Sequence, residues 1–379
     1  MRQIFILFFI LTAAKCSFAG VDTLTVMYYN ILNYHIDKLP YYRTIIGYSK
    51  PDVILLNEVV SDTASIAMLN AINESGICNY AKARFTNGPD KDNMLFYNTD
   101  KLVLALEDSI PTDLRLINRY LLYHKNTDTD TVFMDFYCAH LKGSSGITNA
   151  IKRYFETKQF TNYLERLAVK RNVFYGGDLN FYNYETEPAC VYLIDSSAIK
   201  FFDPINSLGN WHDNPTFASI HTQSTRTISF GGGATGGLDD RFDFIFVTED
   251  ILNGMNRVKY IENSYMALGN DGQRLNMSLI NEPLSEELPD SVTYALYYSS
   301  DHLPVIMKIT VEVGEMAIMN KTENNLGELI DIEVYNISGR LIYKGIREKA
   351  PNIENEILLI RNNYQFGVVN EKTVGLFRK

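Results

Sequence analysis

Cysteine is scarce in this chain: four among 379 residues. So low a count excludes a small disulfide-stapled scaffold and leaves the burial of apolar surface as the source of stability, for which the chain is long enough. Long apolar runs are missing beyond the first twenty residues, so no later segment reads as a membrane span. Basic residues are in deficit, 35 Lys and Arg against 45 Asp and Glu. That balance lends no support to tight, nonspecific nucleic-acid binding, although it leaves open an enzyme that meets phosphate through a metal ion and a few local bases. Regular strand-helix alternation is also absent, which argues against a doubly wound sheet or a β/α barrel.

The one strongly apolar run stands at the start. "MRQIFILFFILTAAKCSFAG" has Arg2, an apolar stretch over 4–11, and Ser17 and Ala19 ahead of a cut before Gly20, the pattern of a secretory signal over 1–19. Lys15 before Cys16 disfavours lipid attachment at that cysteine. Cleavage would leave 33 basic against 45 acidic residues, about −12, and three cysteines, Cys78, Cys138 and Cys190. These allow at most one internal bridge.

After the signal, "VDTLTVMYYNIL" reads as a strand ending near Asn30, "LPYYRTIIGYSK" as a helix stopped by Pro51, and "DVILLNEV" as a buried strand. "DTASIAMLNAIN" reads as a helix. "DNMLFYNTDKLVLAL" and "DTVFMDFYCAHL" read as strands around a less regular middle, and 150–167 as a helix burying Ile151, Phe155, Phe160, Leu164 and Leu167. "NVFYGGDLN" is the next strand. Residues 185–237 look loop-like, with a flexible "GGGATGG", and the strands "RFDFIFV" and "LPVIMKITVEV" follow. Two packed sheets flanked by helices fit this order. Residues 314–325 are polar and read as a linker, and 326–379 as a small all-β module opened by "IEVYNISGRLIYKG".

Polar residues recur where these apolar strands end: Asn30, Glu58, His140, the pair Asp178 and Asn180, and Asp301 with His302. Such ends are where a rigid scaffold can hold a constellation of side chains. Asp178 and Asn180, two apart on extended chain, point the same way and can converge on an oxygen-rich ligand such as Mg²⁺ with phosphate. Asp243, inside the apolar "RFDFIF", needs a hydrogen-bond partner, and a histidine suits it. Taken singly, each residue also reads as a turn former, a structural ion pair or a satisfied histidine; it is their joint occurrence that points to a site.

The strings "MYYNIL", "DVILLNEV", "CAHLKG", "GGDLNF", "DDRFDFIFV" and "SDHLPV" resemble those of the endonuclease/exonuclease/phosphatase superfamily, over roughly 22–313. The resemblance implies an α+β fold, a four-layer αββα sandwich of two mixed sheets. It implies that Asn30, Glu58 and Asp301 help to hold the metal and that His140 faces the phosphate. Asp178 and Asn180 match the family's Asp-x-Asn pair, and Asp243 the carboxylate that orients His302. In pancreatic deoxyribonuclease a glutamate supports the histidine matching His140; here the strand reads "KDNMLF" and Asp92 is the candidate.

The implied cofactor is Mg²⁺, with Mn²⁺ or Ca²⁺ as substitutes, and the implied reaction is phosphodiester hydrolysis. A secreted nuclease acting on DNA or RNA is the first expectation. A phosphatase or a phospholipase- or sphingomyelinase-like phosphodiesterase is the alternative, and a non-catalytic binding or adhesion module the third. The tail resembles the C-terminal sorting domain of the type IX secretion route, which implies export through the periplasm to the surface or medium. No stable protein partner is indicated.

Overall fold

The structure, a computed structural model, describes residues 20–125 and 131–313 throughout, and five strands between 331 and 374. The expected signal segment and linker lie outside the described residues. In chain order the first half has β1 (Gly20–Asn30), α1 (Leu39–Ser49), β2 (Val53–Val59), α2 (Asp62–Asn73), β3 (Tyr80–Lys82), β4 (Asp92–Asn98), β5 (Leu102–Pro111), β6 (Leu116–His124) and β7 (Phe133–His140). The second half has α3 (Ile147–Arg166), β8 (Val173–Asp178), α4 (Pro188–Val191), β9 (Phe201–Phe202), β10 (Asp243–Thr248), α5 (Glu249–Asn253), β11 (Val258–Tyr260), β12 (Met266–Ala267), α6 (Asp290–Ser299) and β13 (Val305–Val313).

One sheet runs β11-β13-β1-β2-β4-β3, with β12 also on β13, and the other runs β5-β6-β7-β8-β10-β9. Both are mixed, and each contains one parallel pair: β1 with β2, connected over α1, and β7 with β8, connected over α3. Side chains alternate across the first sheet as the pleat requires. Tyr28 turns inward, its hydroxyl donating to the Tyr137 carbonyl of the other sheet at 3.2 Å, whereas Tyr29, Ile54, Leu56 and Phe96 turn outward under α1 and α2. On the far side Phe160 of α3 stacks on Tyr175 of β8 with ring centroids 4.0 Å apart. The chain is therefore an α+β sandwich of two mixed sheets with helices outside. From 331 on, β14 (Asp331–Asn336), β15 (Leu341–Ile346), β16 (Leu358–Asn362), β17 (Phe366–Asn370) and β18 (Thr373–Val374) pair antiparallel in the order β15-β14-β16-β17-β18.

Between the sheets lies a buried amide network. Asn57 of β2 donates from Nδ2 to Asn93 Oδ1 at 2.7 Å and to the Ala139 carbonyl at 3.1 Å, and its Oδ1 accepts the Asp178 N–H at 2.9 Å. Asn93 of β4 donates onward to Asn118 Oδ1 and to the Cys138 carbonyl, both at 3.1 Å. Such groups are costly to bury unpaired, so the network ties the sheets in one register.

Three expectations need correction. The less regular middle contains β6, a full strand whose apolar alternation is broken by buried Asn118 and Arg119, the latter paired with Asp135 at 2.9 Å. The apolar face of α3 is turned: Phe160, Leu164 and Leu167 are buried, but Ile151 is 44% and Phe155 54% exposed. Arg153 and Glu156 take the inner positions because they bind the loop after β7, Arg153 donating to the Lys142 and Ser144 carbonyls and Glu156 accepting the Lys142 N–H. Helix α6 forms in 290–299, a stretch to which the sequence reading assigns no element. Among the described residues Cys78, Cys138 and Cys190 are free.

Gly177 is where β8 passes closest to its neighbours. Its φ is +122°, and a Cβ there would lie 2.1 Å from the Ala139 carbonyl oxygen and 2.9 Å from Asn57 Oδ1. Gly177→Ala should therefore cost on the order of 3 kcal/mol, read from urea unfolding. A loss below about 1 kcal/mol would mean that the two strands part easily.

Candidate active site

The two parallel pairs finish at the same rim of the sandwich. Asn30 closes β1, Glu58 stands one residue before the end of β2, His140 closes β7 and Asp178 closes β8. Antiparallel neighbours bring their beginnings to that rim, so Asp243 opens β10 opposite Asp178, and Asp301 and His302 precede β13. Glu58 sits in a bulge against β4, between Asn57 and Val59, with φ +69°. The extra residue turns its side chain into the rim, where a regular strand would turn it away.

Hydrogen bonds join these residues. Asn30 Nδ2 donates to Glu58 Oε1 at 3.3 Å and to Asp178 Oδ2 at 2.9 Å, and thus bridges the two sheets. Asn180 Nδ2 donates to Asp178 Oδ1 at 2.7 Å. His140 Nε2 lies 3.3 Å and His302 Nε2 3.7 Å from Asp178 Oδ2. His302 Nδ1 donates to Asp243 Oδ2 at 2.8 Å, the pairing its apolar surroundings demanded. Asp301 enters through Gln223, whose amide nitrogen is 3.0 Å from Asp301 Oδ2 and 2.6 Å from His302 Nε2. All eight candidate residues are thereby brought to one buried cluster.

Charge is unevenly shared there. Burial pushes the Asp178 carboxyl up to about 7, with Asp243 and Glu58 adding to the rise and His302 and Asn30 opposing it. Burial alone would lower His302, but Asp243, Asp301 and Asp178 around it raise it well above the usual histidine range. His140 is driven the other way, by burial first and then by Arg115 and Lys91. The surroundings thus shift the two imidazoles in opposite directions. The Gln223 amide donates to His302 Nε2 when that ring is neutral, and must present its oxygen when the ring is charged.

Several contributors escape sequence reasoning. Gln223 lies in a segment that reads as loop, yet it bridges to both Asp240 and His302. The "GGGATGG" loop is largely exposed but is fastened to the site at its middle: Ala234 N–H donates to Asp301 Oδ2 at 2.6 Å, and a Cβ on Gly233 would come within 2.7 Å of the Asp301 carboxyl carbon. Asp92 does not orient His140. Its carboxylate accepts the Gly88 N–H at 2.6 Å, and His140 Nδ1 is buried with no hydrogen-bond partner among the described residues. An aspartate is one methylene shorter than the glutamate of the family pattern.

No protein family and no curated protein matches the sequence. Among solved structures the chain is similar to zebrafish (D. rerio) TDP2 in complex with a single-stranded DNA product, at 13% identity, TM-score 0.49, over 76% of this chain and 98% of that one. It is similar to an endonuclease/exonuclease/phosphatase family protein from Bacteroides thetaiotaomicron, at 14% identity, TM-score 0.47, over 78% and 100%. It is similar to the human Nocturnin catalytic domain with bound sulfate, at 15% identity, TM-score 0.49, over 77% and 97%.

The donors at the rim suit a hard divalent cation. Among the described residues carboxylate and amide oxygens dominate, no thiol takes part, and Asp243 Oδ1 and Asp301 Oδ1 are buried without partners. Ligand atoms of Asp178, Asp243 and His302 lie within 4.8 Å of one another. The Asn30 side-chain oxygen accepts the Leu32 N–H at 3.0 Å while its amino group faces Glu58 and Asp178, which ties these two carboxylates together.

An acid whose pKa is higher in the fold than in the unfolded chain binds its proton more tightly when folded. Asp178 therefore makes stability fall as pH rises from about 4 to about 7. In chelator, Asp178→Asn should gain on the unaltered chain by a few kcal/mol across that window in thermal melts. Parallel melting profiles would mean that Asp178 is ionised throughout.

Proposed function

We propose that this protein is an exported, divalent-cation-dependent phosphodiester hydrolase, a nuclease acting on DNA or RNA. The observation that carries the reading is the convergence of four carboxylates and two oppositely tuned histidines on one rim. A phosphodiester is anionic and repels hydroxide, so its hydrolysis needs positive charge on the phosphoryl oxygens and a base for the attacking water. A cation held by Glu58 and Asp301, with Asp178 and Asn180 adjoining, would supply charge neutralisation at a non-bridging oxygen. Asp243 fixes the Nδ1 proton of His302, which aims Nε2 at the substrate, and a charged His302 donates from there to a phosphoryl oxygen. Asp178, poised at about 7, can take the proton of an attacking water that Asn180 helps to orient. Neutral His140 serves as a hydrogen-bonding group for the phosphate.

The test is a panel of DNA, RNA, bis-phosphodiesters, phosphomonoesters and sphingomyelin, assayed in excess chelator and after Mg²⁺ or Mn²⁺ is restored. Nucleic-acid cleavage should vanish with chelation, return with the cation, and fall on the order of 10²–10⁴ in Asp243→Asn. Full activity in chelator rejects the cation, and cleavage of sphingomyelin or monoesters alone transfers the site to another substrate class.

The signal segment and the β-rich tail fit an export address in our reading, with 20–313 as the complete catalytic unit and surface or medium as the destination. A chain of residues 20–313 should match 20–379 in hydrolysis, because none of the eight residues lies beyond His302. Loss of hydrolysis in a folded shorter form would place part of the substrate groove in the tail.

A further inference from the structure

Glu58, one of the candidate cation ligands, already carries a cation of the protein's own. Lys91 Nζ donates to its Oε2 at 2.7 Å, and among the described residues the other donor to that oxygen is the Asn33 N–H at 2.9 Å. The two partners are differently placed. The Glu58 side chain is 6% exposed and held by its bulge, whereas that of Lys91 is 31% exposed and stands on the loop just before β4. A flexible lysine stem can carry its ammonium back toward water at little cost; a buried carboxylate has no such exit. A divalent ion at Oε2 would be repelled by the ammonium and has to replace it. Once released from Glu58, the ammonium remains tethered beside the rim by its own stem, within the cluster that the hydrogen bonds of Glu58, Asn30 and Asp178 join.

We infer that Lys91 is a built-in competitor for the cation: it neutralises Glu58 in the metal-free protein, is displaced when the cation binds, and then binds the anionic oxygens of the phosphate. The inference rests on Glu58 being a cation ligand, as proposed above. It makes cation and phosphate binding cooperative, since the first event frees the group that serves the second.

Mn²⁺ binding by the full chain, followed by electron paramagnetic resonance and calorimetry, tests this without an activity assay. Lys91→Gln should bind Mn²⁺ about tenfold more tightly, while Lys91→Arg, which keeps the charge, should stay near the unaltered chain. With Mn²⁺ saturating, inorganic phosphate should bind about tenfold more weakly to Lys91→Gln. Equal or weaker Mn²⁺ affinity in Lys91→Gln, alongside a clear loss in Glu58→Gln, overturns the role of Lys91 and leaves Glu58 as a ligand. Mn²⁺ binding that Glu58→Gln does not change overturns Glu58 as a cation ligand, and the competitor with it. Unchanged phosphate affinity overturns the second half of the inference.

Discussion

The rim exists because two sheets are held at one mutual height, and the side chain that holds them is Asn57. Its amide reaches from β2 to the Ala139 carbonyl and to the Asp178 N–H, while Asn93 carries the contact on to the Cys138 carbonyl and Asn118. Apolar packing between sheets is tolerant of sliding; buried amides with fixed partners are not. Glycine at 176 and 177 lets β8 come close enough for that clamp, with the Tyr28 ring against Gly176 and Asn57 Oδ1 against Gly177. Once the height is set, the ends of two parallel pairs from different sheets become neighbours, and Asn30 can hold Glu58 and Asp178 together.

The same burial that fixes geometry tunes charge. Four carboxylates in one cleft raise the proton affinity of whatever base lies among them, and His302 lies among three. His140 lies against Asp178 as well, at 3.3 Å, yet burial first and then Arg115 and Lys91 lower its pKa. Neither state depends on the imidazole itself. Exchanging the surroundings would exchange the roles.

Much of this was visible in the sequence. Strand ends announce themselves where an apolar run meets a single polar residue, which is why Asn30, His140, Asp178 and His302 could be picked out, and Asp243 stood out by being charged in apolar company. Asn57 was not visible, since an asparagine one step before a glutamate looks like part of the same turn. Gln223 and Lys91 lie in irregular segments, where sequence spacing says nothing about spatial proximity. Helix α3 misled because its inner face carries Arg153 and Glu156, whose worth lies in hydrogen bonds to the 142–144 loop rather than in hydrophobicity.

The bulge at Glu58 has a meaning for how such a rim can be lost. Against β4, Asn57 faces Asn93 and Val59 faces Asp92, leaving Glu58 as the surplus residue with a left-handed backbone. Its usefulness is therefore a property of counting: one residue fewer in β2 would heal the ladder, relieve the backbone and send the neighbouring side chains to opposite faces. A site of this kind can be silenced by arithmetic alone, in a strand that has become more regular and with every acid and base still encoded.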